Sequence, residues 1–197
     1  MIIYDIEIRK AVPPNYGAPL ADVEYCDGWN DHAGMGVAVL CAYDYKTDRT
    51  RVFCSDNLVE FGNLIASQEC VVGFNNHRFD DRILEAAGIQ IAPGKSYDIL
   101  QEIWRALDLG PDFRPATHGG YSLDALCRAN FNTSKQGDGA DAPVRWQRGQ
   151  IGSVIDYCLH DIHLTKKLLD RIIRAGVLAN PKDRERTIYL RKPGAQQ

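Results

Sequence analysis

Residues 1–8 read Met1-Ile2-Ile3-Tyr4-Asp5-Ile6-Glu7-Ile8. The β-branched and aromatic residues favour a strand, and a strand turns successive side chains to opposite faces. Asp5 and Glu7 therefore share one face, and Tyr4, Ile6 and Ile8 share the other. Two like charges on one face of an apolar strand repel each other. Burying them costs free energy unless something positive sits between them. The stretch predicts a buried strand and, on it, a pair of carboxylates in need of a cation.

Working outward, residues 9–33 hold Pro13 and Pro14, several Gly and Asp, and the aromatics Tyr16, Tyr25 and Trp29. They read as a long excursion, and long excursions in compact domains are usually functional or mobile. Met35–Tyr43 and Arg51–Cys54 read as strands joined by a hairpin over Asp44–Thr50. Asn57–Ser67 has helical spacing. Cys70–Phe74 is a short apolar run bounded by turn residues, as a buried central strand requires. Helices are expected at Phe79–Ala87, ending at Gly88, at Tyr97–Leu107, and at Tyr121–Ala129 with Ser122 as N-cap. Residues 132–150 read as a loop, and Ile151–Ala175 as a long helix ending at Gly176. A short strand is expected at Thr187–Leu190 within a polar tail. This order predicts an α/β fold, a mixed sheet flanked by helices. It is read as one domain over residues 1–197, with the 9–33 insertion and a basic tail from about residue 181.

The chain has 197 residues, 45% of them hydrophobic, enough for a substantial core. No apolar run is long enough to cross a bilayer, so no membrane association is expected. No basic segment followed by an apolar stretch opens the chain, so no signal peptide is expected. The six cysteines form no CxxC pair and lie in apolar contexts. They read as buried free thiols in a reducing compartment, which points to the cytoplasm. Net charge is −3, but from Lys166 onward there are 9 Lys and Arg against 3 Asp and Glu. Such an end can follow a phosphate backbone or simply be a solvated face.

Three short patterns carry the chemistry. The first is Asp5-Ile6-Glu7. The second is Gly73-Phe74-Asn75-Asn76-His77-Arg78-Phe79-Asp80-Asp81, where a strand passes into a helix. The third is Tyr157-Cys158-Leu159-His160-Asp161 on the long helix. Each alone is ordinary: a solvated edge, turn chemistry, two residues on one helix face. Together, Asp5, Glu7, Asp80 and Asp161 bring four carboxylates from separate elements. If they converge, their repulsion calls for divalent cations, and oxygen ligands suit Mg²⁺ or Mn²⁺ rather than zinc. Two such ions about 4 Å apart can clamp a scissile phosphate. Tyr157 lies one turn before Asp161, where its hydroxyl can orient a water.

In order and context, the three patterns resemble the motifs of the DEDD superfamily of 3'-5' exonucleases: D-x-E, N-x(2–3)-(F/Y)-D, and Y-x(3)-D or H-x(4)-D. Tyr157 stands four residues before Asp161 and Asp156 stands five before it, so the chain resembles the tyrosine branch. Asn75-x-x-x-Phe79-Asp80 and Tyr4-Asp5-Ile6-Glu7 are most similar to proofreading domains of family B DNA polymerases and their stand-alone relatives. Asn76 fits the shorter spacing of ribonuclease D-like proteins. Tyr121-Ser122-Leu123-Asp124-Ala125-Leu126 resembles a helix common to these exonucleases.

The resemblance spans residues 1 to about 175. It implies a ribonuclease H-like fold and a catalytic set of Asp5, Glu7, Asp80, Tyr157 and Asp161. The four carboxylates of that set would hold two Mg²⁺ or Mn²⁺ ions. It implies hydrolysis at single-stranded DNA or RNA 3' ends, with release of 5'-mononucleotides. DNA stands slightly ahead of RNA, because the motif details resemble polymerase proofreading domains. The alternative is an exoribonuclease or an oligonucleotide-degrading enzyme. The position after the aromatic makes Asp80, rather than Asp81, the expected ligand. Asn75, Ile6, Phe79, Arg78 and Trp146 are the substrate-binding candidates. Ile8 stands where many family members have Thr. The 9–33 segment is open to the roles of lid, wedge or oligomer contact. Neither a homo-oligomer nor a replication or repair partner is read from the sequence. Two other functions stay open: a non-catalytic nucleic-acid-binding protein of the same fold, and a ribonuclease H-like endonuclease.

Overall fold

A computed structural model describes residues 1–135 and 137–194. In chain order its elements are β1 (Ile2–Ile8), α1 (His32–Met35), β2 (Val37–Asp44), β3 (Arg49–Phe53), α2 (Leu58–Ala66), β4 (Val71–Gly73), α3 (Asp80–Ala86) and β5 (Ser96–Asp98). There follow α4 (Ile99–Ala106), α5 (Pro115–His118), α6 (Leu123–Phe131), α7 (Ala142–Gln147), α8 (Ile151–Ala175), β6 (Val177–Ala179) and β7 (Thr187–Tyr189). Five strands form one sheet in the order β3-β2-β1-β4-β5. β1 pairs antiparallel with β2 and parallel with β4, so the sheet is mixed. β6 and β7 make a separate antiparallel pair.

The opening strand lies in the middle of that sheet. Its alternation divides the core in two. Ile2, Tyr4, Ile6 and Ile8 pack with Leu40, Phe61, Ile83 and Leu84 on one face. Ile3 packs on the other with Val39, Val72 and the apolar stripe of α8, including Val154, Cys158, Ile162 and Leu169. Covering both faces of a sheet is how an α/β domain buries central strands. Asp5 and Glu7 belong to the α8 face by the same period of two.

Helix ends follow local chemistry. The Ser122 hydroxyl accepts from the Ala125 N–H at 3.2 Å and starts α6. Gly176 closes α8 with a left-handed φ of 70°, a conformation glycine takes without steric cost.

Several elements differ from the sequence expectation. Ser96–Asp98 is a strand, not the first turn of a helix, because its backbone pairs in parallel with β4. Asp98 then caps α4. The expected loop over 132–150 contains α7, entered through Pro143 near its first turn. Met35 ends a single helical turn rather than opening β2. The six cysteines are free, four of them buried. Among the described residues no helix is long and apolar enough to cross a membrane. Residues 195–197 of the expected basic tail lie outside the described residues.

Candidate active site

β1 carries Asp5 to the floor of a cleft and buries Glu7 to 6% exposure. Asp5 faces Cys41 of β2, and the register shifts between Glu7 and Ile8. Such a bulge re-aims side chains beside it.

The route to Asp80 is built by the turn after β4. Gly73 leaves no room for a side chain, since a Cβ there would lie 2.6 Å from that of Asn76. Asn75 takes a left-handed φ of 64°, which asparagine tolerates better than most residues. Asp98 fixes this turn from below. Its carboxylate accepts from the N–H groups of Asn75 (2.9 Å) and His77 (3.1 Å), and also from Leu100 (2.8 Å) and Gln101 (3.2 Å) at the start of α4.

The two aspartates after Phe79 then separate. Asp80 lines the cleft and accepts from the Ile6 N–H at 3.0 Å. Asp81 turns away from it. It accepts from the Tyr4 phenol, from the Ser96 hydroxyl at 2.8 Å and from the Asn76 amide at 3.1 Å. Asp80 serves the cleft, and Asp81 ties α3 to β1 and β5.

α8 supplies the opposite wall. Tyr157 and Asp161 share one face, one turn apart, and both line the cleft. Between them Cys158 points at β1, its Sγ 3.7 Å from the Asp5 carboxylate. Gly139 lets the preceding loop pass close to Tyr157, because a Cβ there would lie 3.3 Å from the hydroxyl.

Sequence reasoning missed Lys135. It lies in the loop before α7, and its ammonium pairs with the Asp161 carboxylate and sits 5.2 Å from the Tyr157 ring centre. No spacing or motif marks it. Burial alone would depress its pKa, yet Asp161 holds it above the usual lysine value.

Four carboxylates thus face one lysine. Burial, reinforced by Asp161, pushes Asp5 up to about 7. Burial and then Asp5 push Glu7 well above the ordinary range. Burial, then Asp5 and Asp81, do the same to Asp80. Asp161 is raised by burial, against the pull of Lys135. One of its oxygens, Oδ1, is buried without a hydrogen-bond partner among the described residues. A buried anionic oxygen without a donor and crowded carboxylates with raised pKa values are the signature of a site short of positive charge. Asp5, Glu7 and the Cys158 sulfur offer ligand atoms within 4.8 Å of one another. Burial also raises the Cys158 thiol strongly, so it stays a neutral donor and the ligands on offer are carboxylate oxygens. That donor set fits Mg²⁺ or Mn²⁺.

The 9–33 segment folds over the site. Ala11 bridges to Tyr25. Gln147 of α7 accepts from the Glu24 N–H at 2.6 Å and donates to the carbonyls of Arg9 and Glu24, each at 3.0 Å. Arg148 pairs with Asp22 at 2.9 Å. The cleft under this roof has two connected arms, of about 800 and 920 Å³. Asn75 and Phe79 line both, and Trp29 of the roof lies 6.3 Å from Phe79, ring centre to ring centre. Arg78 is exposed in the second arm, 5.9 Å above the Trp104 ring.

Two of the substrate-binding candidates pack against the core. Trp146 borders neither arm. It rides on α7 with its indole against the core, and the same helix presents Pro143 and Val144 to the cleft. Ile6 is only 4% exposed, and its side chain belongs to the core on the opposite face of β1. Its N–H, donated to Asp80, is what it brings to the site.

No protein-family model matches the chain, and no curated protein matches it. Among solved structures, the chain is similar to a family B DNA polymerase from the hyperthermophilic archaeon Pyrobaculum calidifontis. The TM-score is 0.57 at 15% identity, over 87% of this chain and 24% of that one. The chain thus spans about a quarter of the polymerase's length. With the mixed 3-2-1-4-5 sheet, this likeness defines the fold as ribonuclease H-like.

Proposed function

We propose that the chain is a two-metal 3'-5' exonuclease of the DEDD superfamily, tyrosine branch, which shortens single-stranded nucleic acid and releases 5'-mononucleotides. The observation that carries this reading is the meeting of Asp5, Glu7, Asp80 and Asp161 around one cleft, with Tyr157 a turn before Asp161. The same cleft holds a buried oxygen with no donor. In this reading DNA is slightly favoured over RNA, supported by the polymerase-like motif details and the likeness to a DNA polymerase.

Asp5, Glu7, Asp80 and Asp161 would hold the ions. When bound, two divalent cations supply charge to stabilise the attacking and leaving oxygens of a phosphodiester. Tyr157 is kept neutral, because burial lifts its hydroxyl to about 12. It can therefore hold a water by hydrogen bonding without adding negative charge. Lys135 keeps a positive charge beside Asp161. The 9–33 roof, fastened to α7, limits the access of bulk water to one side of the cleft.

The test is hydrolysis of a 5'-labelled single-stranded DNA and the matching RNA with Mg²⁺, Mn²⁺ or EDTA. A metal-dependent ladder receding from the 3' end is expected. Intact strands with both metals, or cutting of circular single strands, would remove the exonuclease reading. Tyr157→Phe is expected to slow single-turnover hydrolysis by about 10–100-fold, less than loss of a carboxylate, because it removes a water-orienting group and no ligand. A rate equal to wild type would show that the hydroxyl has no such role.

A further inference from the structure

The two arms meet at Asp5, Asp161, Lys135 and Phe79, and beyond that junction their charges differ. The arm under the 9–33 roof adds Glu7, Asp80 and Asp138 and no cation. Among the described residues, the arm running toward α5 adds the cation Arg78 and no carboxylate. A polyanion is repelled by the first far more than by the second. The second arm also presents aromatic rings, Phe74, Trp104, Tyr121 and a Phe113 that is 48% exposed. At its far end the stem of Lys182 lies against Gly120. Its ammonium sits 5.2 Å from the Tyr121 ring centre and donates to the Thr117 carbonyl at 3.1 Å. Among the described residues neither Arg78 nor Lys182 forms an ion pair. Lys182 also opens a stretch, residues 181–194, with 5 Lys and Arg against 2 Asp and Glu.

An exposed ring beside unpaired cations is what a single strand can use, because a base stacks on the ring and phosphates meet the charges. We propose that single-stranded nucleic acid lies along the second arm, its phosphates on Arg78 and Lys182 and a base on Phe113, so that the strand reaches the carboxylates from the α5 side. The apolar wall of the first arm, including Val12, Leu20 and Val144, is left for the one uncharged part of a terminal nucleotide, its base. Only the claim that the 3' end arrives at the carboxylates rests on the exonuclease reading; the strand path stands on the charge of the arms.

Fluorescence anisotropy in EDTA, where no metal supports hydrolysis, tests the path. The full chain is titrated with 5'-fluorescein oligothymidylates of increasing length and with matching oligouridylates. Affinity is expected to rise with length until the strand reaches Lys182, and then to level off. The Arg78→Ala/Lys182→Ala double variant is expected to bind long strands about 10-fold more weakly and to match wild type on a dinucleotide. Its salt slope should fall by about 0.7 for each phosphate that the chain no longer neutralises. Arg51→Ala, on edge strand β3 away from both arms, should keep wild-type affinity. A preference for ribose appears as a shift of the whole oligouridylate series. No binding at any length, a length-independent affinity, or a double variant with the wild-type salt slope would overturn the path. Length-dependent binding that needs both cations, in a chain that hydrolyses neither strand with Mg²⁺ or Mn²⁺, would keep the path and discard the exonuclease.

Discussion

Asp5→Asn is expected to reduce Mg²⁺-dependent hydrolysis by about a thousand-fold while making the metal-free protein more stable. The first half follows from its place among the four carboxylates, where loss of one charged group aimed at the reacting phosphate typically costs 10²- to 10³-fold or more. The second half follows from electrostatics. Burial and Asp161 raise Asp5 from 3.8 to about 7 in the folded chain, so ionising it costs the fold free energy. Below pH 3.8 the group is protonated in both states and costs nothing. The cost builds as pH rises from there and is complete above about 7. Asparagine keeps the shape and removes the charge. In EDTA at pH 8 the variant should melt higher than wild type, by at least about 1 kcal/mol, or some 2–4 °C in a chain of this size. The gap should close as pH falls toward 4. Mg²⁺ should raise the wild-type melting temperature more than that of the variant. Melting curves with the reverse order in EDTA at pH 8 would mean that the carboxylates do not crowd one another.

Asp98→Ala is expected to cost about 3 kcal/mol, equivalent to roughly 6–12 °C in melting temperature. The carboxylate is buried and accepts from four backbone N–H groups, two in the turn leading to Asp80 and two at the start of α4. Alanine leaves those donors buried without partners, and each such loss costs about 1–3 kcal/mol before relaxation. The turn that carries Asn75 and sets the direction of Asp80 should loosen with it. Hydrolysis measured well below the new melting temperature should therefore also fall. A variant that melts within about 2 °C of wild type, close to zero on the scale above, would show that the turn is held by other interactions.

The main architecture was legible because it rests on local periodicity. The alternation of residues 2–8, the stripe of α8 and the hairpin between β2 and β3 each register within a few residues of their expected ends. Short elements were not legible. Ser96–Asp98 becomes a strand only because β4 lies beside it, and Val177–Ala179 only because Thr187–Tyr189 returns to pair with it. No window of sequence contains such a partner. The same limit applies to the site. Asp5, Glu7, Asp80, Tyr157 and Asp161 sit at spacings that a strand, a strand–helix junction and a helix dictate. Lys135 and Trp29 reach the cleft from loops, and Asp98 braces it from a helix cap, where position depends on tertiary packing. The helix that carries Trp146 was missed for the same reason, since its neighbours gave no sign of one.

The place of β1 at the centre of the sheet has a consequence for how the molecule opens. At Ile2 and Ile3 the strand pairs with β2 on one side and β4 on the other, and amide hydrogens so enclosed exchange only in the largest openings of the fold. Asp5 and Glu7 lie just past that stretch, paired with β2 alone. Lys135 hangs from a loop, and Asp80 from a helix of only 7 residues. Tyr157 and Asp161, by contrast, ride on the 25-residue α8. Under the proposed exonuclease reading, Asp80 is then the ligand freest to move, within a frame set by β1 and α8.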